Sequence, residues 1–122
     1  MWSLFVVMKR SEHLKQTEDF RRVYRGGRSY ANHALVMYVK DNGRPVNRVG
    51  ISVSKKVGNS VVRHRVTRLI REAYRLREDS YKSGKDLVFV ARVRAKDCTY
   101  FEIARAMDQL AKRHHMIVPT EE

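Results

Sequence analysis

From Asn42 to Arg71 the chain carries Arg44, Arg48, Lys55, Lys56, Arg63, Arg65, Arg68 and Arg71 and no acidic residue. Few folds accept such a segment. Unpaired charges taken out of water cost several kcal/mol each, roughly, so these side chains belong at a surface. Set side by side they repel one another, and an external polyanion relieves the repulsion. The same stretch also contains its own anchor. Val62, Val66, Leu69, Ile70 and Ala73 fall within an arc of about 100° at the helical step. His64, Arg68, Arg71 and Arg75 cluster on the opposite side, and Arg63 and Arg65 flank the stripe. The segment therefore predicts a helix with one face on a sheet and a cationic face outward.

The charge is unevenly distributed. Residues 9–75 hold 17 Lys/Arg against 5 Asp/Glu, a net of +12, while the whole chain has +13. One part of the molecule does the binding. A chain made basic only for solubility would mix the signs. Between residues 57 and 77 all six basic positions are Arg, whose planar guanidinium grips phosphate with two prongs and stacks on bases. A merely solvated helix face would intersperse Glu at i±4, and only Glu72 does so.

With 122 residues there is room for one domain and one core. Cys98 is the single cysteine, which excludes an internal disulfide and a thiolate metal cluster and fits a reducing cytoplasm; it is expected as a small buried hydrophobe. Residues 1–8, MWSLFVVM, are too few to span a bilayer and read as an N-terminal extension, with Met8 opening the working chain. Residues 9–115 form the domain and 116–122 a tail.

Thr17 is expected to cap a first helix, with Glu18 and Asp19 at the positive end of its dipole and Gly26–Gly27 ending it. Phe20, Val23 and Tyr24 share one face of it. Ala34–Val39 reads as a central strand, apolar on both faces, with one extra short strand near Arg28–Ala31. After a turn at residues 41–45, the alternation in Val49–Ser54 predicts a strand that pairs back as a hairpin. Asn59 or Ser60 caps the arginine helix. Asp86–Val93 is a further strand, parallel to Val49–Ser54 across the helix. Thr99-x-x-Glu102 is a capping box that opens a last helix with Ile103, Ala104, Met107, Leu110 and Ala111 as its buried stripe. The fold class is α/β (α+β), a two-layer sandwich of a small mixed sheet and helices in the order α-β-β-(β)-α-β-α.

No catalytic constellation stands out. The acids are scattered or paired at helix ends, unlike the carboxylate groups of metal-dependent nucleases. The five histidines lack metal-ligand spacing, and His114–His115 suits a contact with a helix C-terminus. No catalytic residue or metal ligand is expected, and the functional residues are contacts. The helix N-terminus beside Lys55 and Lys56 offers a small anion site. Phe20, Tyr24 and Tyr38 are core by pattern or, for the tyrosines with their polar ends, the wall of a cleft for single-stranded nucleic acid.

The run from Val49 to Tyr74, VGISVSKKVGNSVVRHRVTRLIREAY, closely resembles the signature of the bacterial ribonuclease P protein subunit. Residues 18–29 are similar to that family's N-terminal helix and turn, and residues 86–92 to its late strand. The resemblance covers residues 9–115. It implies a ribosomal-protein-S5-domain-2-like fold with a left-handed βαβ crossover. It also implies a protein, monomeric in a 1:1 complex, that assists a catalytic RNA in removing the 5′ leader from precursor tRNA. Magnesium is held chiefly by RNA, and the protein itself binds no cofactor. Position by position, it places RNA contacts at Lys55, Lys56, Asn59, Arg63, His64, Arg65, Arg68, Arg71 and Arg75, and a leader cleft at Phe20, Tyr24, Val36 and Tyr38. Two positions depart from the family pattern: His64 stands at the usual asparagine and Thr67 at the usual lysine. A structural ribosomal protein is the second reading, and a protein-only nuclease, which the missing carboxylate cluster opposes, the third.

Overall fold

Leu87, Val88 and Phe89 are apolar on both faces of their strand, and all three are fully buried, which puts that strand at the middle of the sheet. The structure, a computed structural model, describes residues 11–119. In chain order the elements are β1 (Ser11–His13), α1 (Thr17–Gly26), β2 (Arg28–Ala31), β3 (Leu35–Asp41), β4 (Asn47–Ser52), α2 (Ser60–Arg75), β5 (Lys85–Ala91) and α3 (Tyr100–Arg113). The five strands lie in the order β1-β4-β5-β3-β2. β5 runs parallel to β4 and antiparallel to β3. The mixed sheet, the arginine helix, the strand near Arg28–Ala31 and the parallel pair across α2 are as the sequence indicates.

The hairpin is not. β3 and β4 are separated by β5, and β4's other neighbour is β1, parallel to it. A strand apolar on both faces gains most from the centre, so β5 displaces the sequence-adjacent pairing. The expected extension over residues 1–8 lies outside the described residues. Met116, assigned to the tail, is buried, and Ile117 bridges to Tyr81.

Alternation along the strands divides the sheet into two faces. Leu35, Met37, Leu87 and Phe89 pack against α2 and α3 in the main core, with Val66, Ile70, Ala73 and Tyr74 from α2. Removing each such large side chain from water contributes about 1.5–3 kcal/mol before conformational entropy is subtracted. Both helices start as the sequence indicates. The Asn59 side chain accepts from the Val62 N–H, and Thr99 and Glu102 cap each other's backbone. Cys98 is buried at 5% exposure and Tyr74 donates to Ser11 Oγ, which donates in turn to buried Glu78.

On the other face α1 stands alone. Val23 and Leu14 form a small core with Val88, and Phe20, Tyr38 and Val90 pack around it. Thr17 is the first helical residue rather than the cap; Gln16 precedes it, and its carbonyl accepts from the Asp19 and Phe20 N–H groups. Arg48 fastens this helix to the sheet. Its guanidinium donates twice to Asp86, at 2.9 and 2.7 Å, and lies 3.7 Å from Asp19 in the first turn of α1. Burial pushes the Asp86 carboxyl up, but Arg48 and the Asn42 amide outweigh it and hold the group below the usual range. Arg48 therefore serves the fold, and the acid-free segment has counter-charges distant in sequence for that one cation.

Candidate nucleic-acid interface

The outer face of α2 carries the expected cations in three environments. His64 and Arg68 are exposed, as are Lys55, Lys56 and Asn59 in the approach to the helix. Arg63 and Arg71 are half-buried, with Nε atoms out of water and without a hydrogen-bond partner. Their stems lie on the protein while the charge reaches outward. Arg65 donates to the backbone carbonyls of Lys96 and Cys98, at 3.3 and 2.8 Å. This ties α2 to the turn before α3, yet neutral carbonyls leave the positive charge uncancelled. Arg75 differs: it forms an ion pair with Glu72, and that contact, with burial opposing it, holds the Glu72 carboxyl low. Its charge is the one in the set that has a local answer, so it contributes least to the cationic face.

The four cleft residues come together on the α1 side. Tyr24 and Tyr38 meet edge to face with ring centroids 4.9 Å apart, and Phe20 is 6.3 Å from Tyr24. Tyr24 is 39% exposed, Phe20 and Tyr38 half-buried. Phe20 is thus both a wall of the small core and an accessible ring, which reconciles its two sequence readings. Val36 lies one row along from Tyr38. In that row Ser52, Val90, Val36 and Ala31 face the same side across β4, β5, β3 and β2. α1 does not cover it: Val36, Val90 and Ser52 remain half-exposed.

Three contributors escaped the sequence. Gly50 is one. A Cβ there would sit 2.5 Å from the Phe20 ring, so the ring's position depends on glycine at that point of β4. The second is His13, at the end of β1. With Phe20, Gly50 and Arg71 it lines a cavity of about 100 Å³ at the β4 edge, where the cleft side and the arginine side approach each other. Burial, then the cations Arg71 and Lys15, hold its imidazole below the ordinary value. The third is His114. It bonds the Met37 carbonyl at 2.8 Å, and burial lowers its pKa, so it is a sheet contact rather than the charged helix-end contact expected. Nothing in the spacing of these residues announces the packing that recruits them. Among the described residues, no three His, Cys, Asp or Glu side chains gather where they could hold a metal ion, and no helix is long and apolar enough to cross a membrane.

A mixed sheet with a cationic helix beside one edge and an open aromatic cleft on the opposite face defines an α+β domain built to present contacts rather than a reaction centre. The ribonuclease P family model matches residues 8–115. The ribonuclease P protein component of Lachnoclostridium phytofermentans is 55% identical over 111 residues, covering 91% of this chain and 96% of that protein. That of Clostridium novyi is 56% identical over 108 residues, covering 87% and 96%. The solved RNase P protein of Staphylococcus aureus superposes with a TM-score of 0.80 at 36% identity, covering 87% of this chain and 97% of that one. The chain belongs to the ribonuclease P protein family, the protein component that works with an RNA subunit in tRNA 5′ processing. The ribosomal-protein alternative is not favoured.

Proposed function

We propose that this chain grips the catalytic RNA through α2 and the leader of precursor tRNA through the α1 cleft, leaving hydrolysis to the RNA. In this reading Arg63, His64, Arg65, Arg68 and Arg71, with Lys55, Lys56 and Asn59, meet ribose-phosphate. Arg75 is a lesser member because Glu72 answers its charge. Phe20, Tyr24, Val36 and Tyr38 receive unpaired leader bases, which stack on aromatic rings without regard to sequence. His64 donates where an amide is usual, and Thr67 brings one charge fewer than a lysine. The magnesium ions are ligands of RNA. The complex has one protein per RNA and acts in the cytoplasm.

One observation carries the reading: arginines on α2 lie along one helix whose sole acid, Glu72, pairs with Arg75. Bringing two polyanions together costs repulsion, which such a face offsets. The test is reconstitution. Adding the protein to its cognate RNA and precursor tRNA at low millimolar magnesium should raise cleavage sharply over RNA alone. No gain, or cleavage by protein freed of all RNA, contradicts the division of labour.

A further inference from the structure

Beyond the cleft and α2, one more cationic surface surrounds Tyr30 on the outer strand β2. Arg113, in the last turn of α3, lays its guanidinium 4.2 Å over the Tyr30 ring. His114 meets the same ring edge-on at 4.7 Å and is fixed by its bond to the Met37 carbonyl. Arg28 shares the Tyr30 side of β2 by alternation and is close enough to bear on His114 electrostatically. Arg28 and Arg113 are both exposed. Two acid-free stretches converge here, residues 26–40 and 109–119. A stacked guanidinium is held flat with its N–H edges outward, the presentation that suits a phosphate. Tyr30 thus orients Arg113 without neutralising it.

The surface is continuous with the cleft. The open row from Ser52 to Ala31 crosses three inter-strand spacings, about 14 Å, and ends at β2. At a stacked spacing of roughly 3.4 Å, about four nucleotides fill it. A strand leaving the row at Ala31 passes over the sheet edge, and Arg28 and Arg113 stand on the far side of that edge. We propose that Arg28 and Arg113 form a second phosphate site, which takes the leader nucleotides that continue past the cleft. This inference rests on the leader lying in the cleft, as argued above.

The test uses the reconstituted holoenzyme and precursor tRNAs whose leaders lengthen one nucleotide at a time. Wild type should gain affinity in two steps, one as the cleft fills and a second, of about tenfold, after further nucleotides reach β2. Arg28→Gln with Arg113→Gln should abolish the second step alone and lower the salt slope of long-leader binding by about 1.4, the share of two single-strand phosphates. Tyr38→Ala should diminish the first step. Methylphosphonates in the distal leader should erase the wild-type advantage. An unchanged second step in the double variant overturns the proposal, as does equal loss at every length, which would place these arginines on the catalytic RNA or in the fold. If Tyr38→Ala leaves the first step intact, the cleft assignment itself has failed. Thermal melting of the double variant checks that its fold is retained.

Discussion

α1 and α2 are both rich in arginine and dispose of its charge in opposite ways. On α1, Arg21, Arg22 and Arg25 each pair with Glu18 or Asp19, at 3.6, 3.1 and 3.3 Å. On α2, Glu72 answers Arg75, and the hydrogen bonds of Arg65 go to uncharged carbonyls. The α1 pairs are exposed and individually weak, about 0.2–1 kcal/mol. Their effect is to cancel the field where aromatic rings, not phosphates, are on offer. The number of arginines on a helix therefore says less about its partner than the placement of the acids beside them.

The largest effect that can break this comparison is charge reversal on α2. Arg68→Glu should weaken assembly with the catalytic RNA by about 100-fold at physiological salt, read by filter binding, because it replaces attraction with repulsion against a phosphate. A loss below about threefold would leave α2 no different from α1. Next is Tyr38→Ala, which should cost about tenfold in affinity for leader-bearing precursor and little for mature tRNA, since one stacked base is lost. Equal loss for both substrates would move the aromatic cluster out of the leader path.

A smaller effect appears in the pH dependence of stability. Burial, together with Arg28 and Arg113, outweighs the pull of the Met37 carbonyl and keeps His114 below its ordinary value in the folded protein. The unfolded chain then takes up the proton first as pH falls through about 6.5, so stability declines on acidification until the folded form protonates too. His114→Gln keeps a donor for the carbonyl and should flatten the fall in Tm between about pH 7 and 5. His13 shifts the same way and should leave a residual slope. The smallest effect sharpens the comparison from the other side. Arg22→Gln on α1 should change RNA assembly by less than about twofold, because Asp19 already answers that charge.

What could be read from the sequence follows from the range of each interaction. α2 is legible because its stripe, its cap and its missing acids all lie within one turn or two of each other. α3 is legible for the same reason, through Thr99 and Glu102. β1 is not: Ser11, Glu12 and His13 show no apolar alternation, and the segment is a strand because backbone groups of β4 were left open beside it. The hairpin between β3 and β4 looked natural because only a short turn separates them, and β5 comes between them through a preference for burial that local pattern does not express. Arg48 looked like part of the cationic face, yet its partners lie at Asp19 and Asp86. Gly50 passed as one small residue in a strand, and its need for Phe20 is a fact of packing across elements.

The central claim is that the uncancelled charge of α2 meets RNA phosphates. The salt dependence of holoenzyme assembly tests it most directly. Replacing Arg63, Arg68 and Arg71 together with Gln should reduce the slope of log affinity against log salt by about 2.7, near 0.9 for each phosphate released from duplex RNA. The same slope for the variant as for wild type, with the fold intact by melting, would contradict the account.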